Sequence, residues 1–214
     1  MKPKLLVGIP AYNGMVHIDC VNTLLGLNKL NLESAVMFIG NESLITRGRN
    51  TIFSLFLSQK VFTHLLFLDA DVGMNPDDIL KLLSHDKDVI GVPVRLKGTD
   101  KEGKPVYNVG KIMGIGGNGL SIVSKIGTAV LMISRTAAEN LVKKLKPDTY
   151  SGNPFGAGVI LDSITHYDVF KTGVIDGEYQ SEDFWICEQF RKIGYKIFVD
   201  PNIYTVHNGM IKLG

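Results

Sequence analysis

Residues 63–80 read THLLFLDADVGMNPDDIL, and this stretch decides the fold class. Its apolar run predicts a buried β-strand that ends in Asp69 and Asp71, after which a turn and a helix begin. A polar turn accounts for Asp77 and Asp78, because acids stabilise a helix N-terminus, but it does not account for acids at the strand end. Two carboxylates this close repel each other unless a cation or hydrogen-bond donors lie between them. Oxygen ligands suit Mg²⁺ or Mn²⁺, so we expect a divalent cation here.

Apolar runs and helical patterns alternate on both sides of this strand. The patterns predict strands at residues 4–10, 34–40, 64–70, 88–94, 127–134 and 195–200, and helices at 17–30, 46–59, 76–83, 135–145 and 181–194. Strands separated by helices predict an α/β domain with a mostly parallel central sheet, covered by helices on both faces. Between residues 97 and 125 the sequence is rich in glycine and predicts hairpins or a mobile loop.

Composition narrows the class of protein. The chain has 214 residues, of which 45% are hydrophobic, and this fits a single domain over 1–214, either alone or as part of a longer polypeptide. The net charge is +2 without a run of Lys or Arg, so we expect no nucleic-acid partner. The first apolar run is short and contains Pro10, which argues against a signal peptide or a membrane span. Cys20 and Cys187 lack metal-ligand spacing and predict reduced thiols, hence a soluble, cytoplasmic protein.

Three polar segments follow the ends of predicted strands. They are residues 10–13, Asn41 and residues 69–71. Ligands of parallel α/β sheets bind beyond the carboxyl ends of the strands. We therefore expect one crevice to receive all three segments.

Arginines open the helix that follows the second strand. Arg47, Arg49 and Asn50 lie in its first turns, and a helix start with arginines is a suitable site for a phosphate or a nucleotide. The alternative is an exposed basic turn, which the positive end of the helix dipole makes slightly unfavourable.

Two acids and one histidine near the C-terminus are further candidates. Glu182 and Asp183 follow Ser181, a good N-cap, so they could simply stabilise the helix, yet a carboxylate facing the crevice is suited to act as a general base. Helix geometry alone does not choose between them. His207 lies on or after the last strand and is a ligand candidate if that strand ends beside Asp71; otherwise a lone histidine is more often a structural hydrogen-bonding group.

An apolar strand that ends in Asp-x-Asp also occurs in the haloacid dehalogenase-like phosphohydrolases, in which the first Asp is the nucleophile. Here Gly73 stands two residues beyond Asp71, where that class usually has Thr or Val, and the strand is third in the chain rather than first. No convincing Lys and acidic pair follows downstream. This class is therefore only an alternative function.

With these residues in view, the chain resembles the GT-A glycosyltransferases, notably the small family-2-like and Anp1-like forms of bacteria, phages and large DNA viruses. The resemblance covers nearly the whole chain, and six landmarks occur in the family's order. They are GIPAYNG, SLITRGRN, LLFLDADVGMNPDDILKLL, GTAVLMISR, SEDFWICEQFRKIGYKIFVDP and VHNG. The resemblance implies the GT-A fold, a Rossmann-like sheet with a small antiparallel elaboration.

The resemblance also implies roles for individual residues. Asp71 resembles the acid that binds the metal directly, Asp69 the first acid of the DxD motif, and His207 the late histidine that completes the metal site. Asp183 resembles the base of inverting members, with Glu182 as the close competitor. The expected donor-contacting residues are Pro10, Ala11, Tyr12 and Asn13 around the base and ribose, Arg47, Arg49 and Asn50 near the base or diphosphate, and the turn Asp69, Ala70 and Asp71.

The implied activity is metal-dependent transfer of a sugar, with Mn²⁺ or Mg²⁺, from a nucleotide-sugar donor to a hydroxyl acceptor such as a glycan. A UDP-sugar is the preferred donor within the family. The second alternative to this activity is a non-catalytic nucleotide-sugar binding module, which would bind donor and metal without turnover.

Overall fold

The structure, a computed structural model, describes residues 2–151, 164–175 and 177–209. The helices described there are α1 (Ile18–Leu27), α2 (Ile45–Ser58), α3 (Pro76–Ser84), α4 (Arg135–Leu145) and α5 (Glu182–Lys192). The strands are β1 (Lys4–Ala11), β2 (Glu33–Gly40), β3 (His64–Leu68), β4 (Val72–Met74), β5 (Val89–Gly91), β6 (Arg95–Thr99), β7 (Pro105–Tyr107), β8 (Ile112–Gly117), β9 (Leu120–Val123), β10 (Val130–Ser134), β11 (Thr149–Tyr150), β12 (His166–Tyr167), β13 (Gly173–Ile175), β14 (Glu178–Gln180), β15 (Ile197–Val199) and β16 (Thr205–His207). Within the described ranges, each helix is too short or too polar to cross a membrane.

Eight strands form the central sheet, in the order β2-β1-β3-β10-β5-β15-β9-β8. β1 is parallel to β2 and β3, while β10 is antiparallel to both β3 and β5. β15 is parallel to β5, and β9 is antiparallel to both β15 and β8. Six strands of this sheet therefore point the same way, and β10 and β9 point the other way. The predicted α/β fold with a mostly parallel sheet is confirmed.

The sheet separates two apolar clusters. Leu5, Val7 and Ile9 of β1 belong to the cluster that includes buried residues of α1 and α3. Leu6 belongs to the other cluster, together with buried residues of α2, α4 and α5. Because alternate side chains of a strand point to opposite faces, this division means that helices cover both faces of the sheet, as predicted.

β1 and α2 approach each other closely at Gly8. A Cβ atom at this position would lie 2.2 Å from Cγ2 of Ile52, which is fully buried. Glycine is therefore required here by space. The contact holds the half of α2 that carries Arg49 against the sheet.

Asp200 joins the end of β15 to α3. Its side chain is 1% exposed and lies 2.8 Å from Lys81 Nζ and 2.9 Å from His85 Nε2. Burial alone would raise the pKa of Asp200, but the lysine, the histidine and the backbone N–H of Asn202 outweigh it and hold the pKa below its usual value. The carboxylate is thus ionised at neutral pH and ties the two elements together.

The glycine-rich segment forms antiparallel hairpins, which is one of its two predicted conformations. β6 pairs with β7, and β8 pairs with β9 at the end of the central sheet. Asn118 and Gly119 turn the second hairpin with φ values of 50° and 77°, as two-residue hairpin loops require. A further antiparallel pair joins β16 to β4, directly after the acidic turn. These pairs are the predicted antiparallel elaboration.

Candidate functional site

The carboxyl ends of β1, β2 and β3 lie side by side, because these parallel strands are neighbours in the sheet. Ala11 pairs with Gly40 at the last register position of β1 and β2, and β3 ends directly before Asp69. The start of α1 also reaches this edge, where the backbone N–H of His17 donates to the carbonyl of Ala70 at 2.8 Å. The segments predicted to share a crevice therefore meet at one edge of the sheet.

The segment after β1 is a short 3-10 turn, Tyr12–Gly14. Asn13 has a φ of 58°, and Asn41, which follows β2, also has a φ of 58°. Pro10 and Ala11 belong to β1 itself, and the side chain of Ala11 is buried. Tyr12, in contrast, is 64% exposed. Of the predicted nucleotide loop, Tyr12 and Asn13 are therefore the residues with exposed side chains, while Pro10 is half-buried.

Arg49 connects the first acid of the DxD motif to the start of α5. Its Nη2 donates to Asp69 Oδ1 at 2.9 Å, and its Nε donates to Glu182 Oε1 at 3.4 Å. The guanidinium also lies over the ring of Phe67, 5.6 Å from the ring centroid. Burial alone would lower the pKa of Arg49, but Asp69 and Glu182 outweigh it and raise the pKa. A permanently charged, buried arginine thus offers one positive charge that both carboxylates share.

The remaining nitrogen of Arg49, Nη1, is buried and has no hydrogen-bond partner among the described residues. Buried donors without an acceptor are rare, because each costs about 1–3 kcal/mol. A water or ligand oxygen that entered beside Asp69 would satisfy this donor.

Asp71 has two nitrogen neighbours from distant parts of the chain. Lys97 Nζ from β6 lies 2.5 Å from Asp71 Oδ2, and His207 Nε2 from β16 lies 3.5 Å from the same oxygen. β16 pairs with β4 so that His207 is opposite Val72, next to Asp71. The last strand therefore ends beside Asp71, and this is the condition under which the sequence made His207 a candidate metal ligand.

The ring of His207 is oriented as in many metal-ligating histidines. Its Nδ1 lies 2.6 Å from the carbonyl oxygen of Arg95. A carbonyl can only accept, so Nδ1 carries the hydrogen, and Nε2 faces Asp71. Nε2 can therefore either pair directly with Asp71 as part of a protonated ring or, as part of a neutral ring, share a cation with this carboxylate. These two atoms, an imidazole nitrogen and a carboxylate oxygen, are suitable ligands for a divalent cation.

The described residues include no group of three or more His, Cys, Asp and Glu side chains that could hold a metal ion. Mg²⁺ is often bound by one or two carboxylates, with substrate phosphates and water as the other ligands. Asp71 would supply one such carboxylate, with the imidazole nitrogen of His207 beside it. Asp69 accepts from Arg49 through Oδ1, so a metal contact of Asp69, which would use its other oxygen, stays a prediction. The same contact gives no support to Asp69 as a phosphohydrolase nucleophile.

Two of the predicted donor-contacting residues bind other parts of the protein. Arg47 makes a two-pronged ion pair with Glu42, at 2.5 and 2.8 Å. Burial alone would raise the pKa of Glu42, but Arg47 outweighs it and lowers the pKa. Asn50 is 2% exposed; its Oδ1 accepts from the backbone N–H groups of Val169 and Phe170, at 3.0 and 2.8 Å. The geometry gives these two residues structural contacts, so their contact with a donor stays a prediction.

The two acids of α5 differ in their contacts. Asp183 Oδ1 accepts from the hydroxyl of Ser181 and, at 2.7 Å, from the backbone N–H of Phe184. Ser181 occupies the N-cap position but makes no capping bond to the helix backbone. Among the described residues, no hydrogen bond or ion pair reaches the other oxygen of Asp183. Glu182, in contrast, is held by Arg49.

Sequence reasoning missed two residues of the site, Lys97 and Asn208. Lys97 lies in the glycine-rich segment, and no pattern there distinguishes it. The backbone N–H of Asn208 donates to the carbonyl of Asp71 at 2.9 Å, and its Nδ2 donates to Asp19 Oδ2 at 3.0 Å. Its place directly after His207 in VHNG was a signal that could have found it.

A cleft of about 960 Å³ opens beside this site. Lys97 and His207 lie on its wall, together with the exposed rings of Tyr107 and Tyr204. Two neighbours of Asp71, Lys97 and His207, are therefore accessible from a cleft large enough for a small ligand, whereas Asp71 itself is not among the described residues of its wall.

Comparisons with known proteins agree with this architecture. No protein-family model matches the chain, and no curated protein does. Among solved structures, A197 from STIV matches with a TM-score of 0.57 and 16% identity, over 97% of this chain and 86% of that chain. S. aureus TarS 1–349 in complex with UDP-GlcNAc matches with a TM-score of 0.50 and 15% identity, over 97% of this chain.

The fold is GT-A-like. This confirms the fold that the resemblance implied. The chain spans 60% of the TarS 1–349 chain, and at these identities the likeness concerns the fold.

Proposed function

We propose that this protein is a metal-dependent glycosyltransferase that moves a sugar from a nucleotide-sugar donor to a hydroxyl group of a glycan or a similar acceptor. The observation that carries this proposal is the approach of His207 to Asp71 at the carboxyl edge of a GT-A-like sheet. Because the two residues are far apart in sequence, their meeting is a property of the fold. A UDP-sugar is the preferred donor, since TarS, with the same fold, was solved with UDP-GlcNAc.

Asp71 and His207 would hold a divalent cation, Mn²⁺ or Mg²⁺, whose other ligands would be diphosphate and water oxygens. When bound, this cation supplies positive charge at the leaving diphosphate. Tyr12 and Asn13 offer accessible side chains for the base and ribose. Arg49 holds the carboxylate of Asp69 beside this position through their ion pair.

Asp183 is the proposed general base for the acceptor hydroxyl. Glu182 is directed at the buried guanidinium of Arg49, so its carboxylate is engaged within the protein. Asp183 is oriented through one oxygen by Ser181 and Phe184, so its other oxygen remains to take the proton.

The test is binding and turnover with a panel of nucleotide sugars. Thermal shift and calorimetry with UDP, GDP and their sugars, each with Mn²⁺ or with EDTA, identify the donor, because a ligand of the folded state raises the melting temperature. We expect Mn²⁺-dependent binding of at least one donor, followed by slow hydrolysis or transfer. No binding of any donor would contradict the proposal, and binding without turnover would indicate a binding module instead.

Asp71→Asn is the matching variant, because it keeps the shape of the side chain and removes its charge. We expect it to weaken Mn²⁺-dependent donor binding by about tenfold or more, the range for a contact to a charged group. Asp77→Asn is the control, because Asp77 lies in the first turn of α3, where an acid stabilises the helix N-terminus. Equal donor affinity in both variants would rule out Asp71 as a metal ligand.

A further inference from the structure

Lys97 occupies the position next to Asp71 where a cation is expected. Its Nζ lies 2.5 Å from Asp71 Oδ2, the same oxygen that His207 Nε2 approaches at 3.5 Å. One carboxylate oxygen thus faces both the ammonium and the imidazole nitrogen. An ion bound between Asp71 and His207 would have to share that oxygen with Lys97.

The route of the Lys97 side chain is set by the backbone around it. A Cβ atom at Gly209 would lie 3.0 Å from Cδ of Lys97 and 3.5 Å from its Cε, so the stem of the lysine passes directly over this glycine. β6, which carries Lys97, is itself attached to β16 through the bond from His207 to Arg95. Lys97 is therefore aimed at Asp71 from a strand that is attached to β16, the strand that brings His207 there.

The free energy of folding gives little reason for the ion pair between Lys97 and Asp71. The side chains of Lys97 and Asp71 are 47% and 40% exposed. Ion pairs with this exposure contribute little to folding, because water and salt screen the two charges. The pair is also easily exchanged, since neither partner is enclosed. The position of Lys97 is thus better explained by a ligand than by the fold.

We propose that Lys97 is a phosphate-binding residue of the donor site: its ammonium neutralises Asp71 in the free protein and moves to the diphosphate when the cation and donor bind. This rests on the proposed function. A divalent cation and an ammonium repel each other on one oxygen, so the lysine leaves Asp71 when the cation arrives. A diphosphate bound together with that cation would then offer Lys97 a new anionic partner.

The exchange predicts two effects of opposite sign for Lys97→Met. Binding of Mn²⁺ alone should become about two- to fivefold tighter, because the cation no longer competes with Lys97 for Asp71. This factor corresponds to the strength of an exposed ion pair. Binding of pyrophosphate or UDP in the presence of Mn²⁺ should become about tenfold weaker or more, because a charged hydrogen bond to phosphate is lost. Lys97→Arg keeps the charge and should retain most of the affinity for the diphosphate.

The experiment is calorimetry of Mn²⁺ alone, of pyrophosphate with Mn²⁺ and of UDP with Mn²⁺, on wild type, Lys97→Met and Lys97→Arg. Lys104→Met is the control, because Lys104 lies in the same hairpin, is 70% exposed and pairs with Glu102 instead. It should leave all three affinities unchanged.

Binding of pyrophosphate tests the role of Lys97 alone, whereas binding of a nucleotide sugar tests the proposed function. If Lys97→Met binds pyrophosphate with Mn²⁺ within twofold of wild type, or if Lys104→Met weakens it equally, the proposal is overturned. If wild type binds pyrophosphate through Lys97 but no nucleotide sugar, the residue assignment holds and the proposed function fails.

Discussion

Replacing Arg49 by Met tests whether the buried guanidinium holds the site together. Its side chain is 4% exposed, and it reaches Asp69 at 2.9 Å and Glu182 at 3.4 Å. Met occupies a similar volume but leaves both carboxylates without their shared positive charge. Because these carboxylates are only 27% and 14% exposed, water replaces the lost contacts incompletely.

The magnitude follows from two opposing effects. Removing one partner of a buried ion pair costs about 3–5 kcal/mol, because the other charge stays buried without compensation. Removing Nη1, which has no partner among the described residues, relieves about 1 kcal/mol of unfavourable burial. We therefore expect Arg49→Met to lower the free energy of unfolding by about 2–4 kcal/mol, and the melting temperature by about 4–16 °C.

Urea unfolding followed by circular dichroism measures this change, with the slope m checked to be constant so that the midpoints report stability. Arg191→Met is the matched control, because it breaks a surface pair with Glu188 whose side chains are 36% and 39% exposed. The control should lose about 0.5 kcal/mol or less. If Arg49→Met loses no more than the control, the reasoning about the buried pair is refuted.

Asp183→Asn should lower turnover by about two to four orders of magnitude with unchanged donor affinity, and Glu182→Gln by less than about tenfold; the reverse pattern in steady-state kinetics would make Glu182 the base. Asp200, whose pKa is lowered in the folded state, contributes stability that is fully present above the ordinary Asp pKa of about 4 and is lost as the pH falls below it. Urea midpoints of wild type and Asp200→Asn should therefore converge in acid; a constant difference would contradict this. Gly8→Ala should cost about 1–3 kcal/mol by overpacking, and Gly98→Ala, with open space around it, much less; equal midpoints would disprove the clash.

Hydrophobic periodicity predicted the elements well, because most of them are buried on a regular face. The helix predicted at 135–145 is α4, and the strand predicted at 127–134 contains β10. The direction of β10 was not predicted, since a fully buried strand carries no mark of its orientation. The missing crossover helix between residues 94 and 127 was the available signal, because parallel neighbours need such a crossover.

The candidate site could be predicted from the sequence only where the type of a residue and its place in a strand or helix indicate a chemical role. Acids at the end of a buried strand are unusual, so Asp69 and Asp71 stood out. Arg47 and Asn50 were also identified from the sequence, but the residues that they contact in the structure were not. Glu42 and the backbone of Phe170 engage them through contacts that follow no periodic pattern.

The two acids of the turn differ in the kind of positive charge that faces each of them. Asp69 meets Arg49, which is buried, always charged and held by a second carboxylate, so this pair is part of the folded structure. Asp71 meets an exposed lysine and a histidine whose Nδ1 is bound to a carbonyl, so neither of its partners is buried with it in the way that Arg49 is with Asp69. Like charges at a strand end are thus tolerated by different means. The first carboxylate is held by a buried arginine, whereas the second faces an exposed lysine, which in our proposal is the partner that moves when the cation and donor bind.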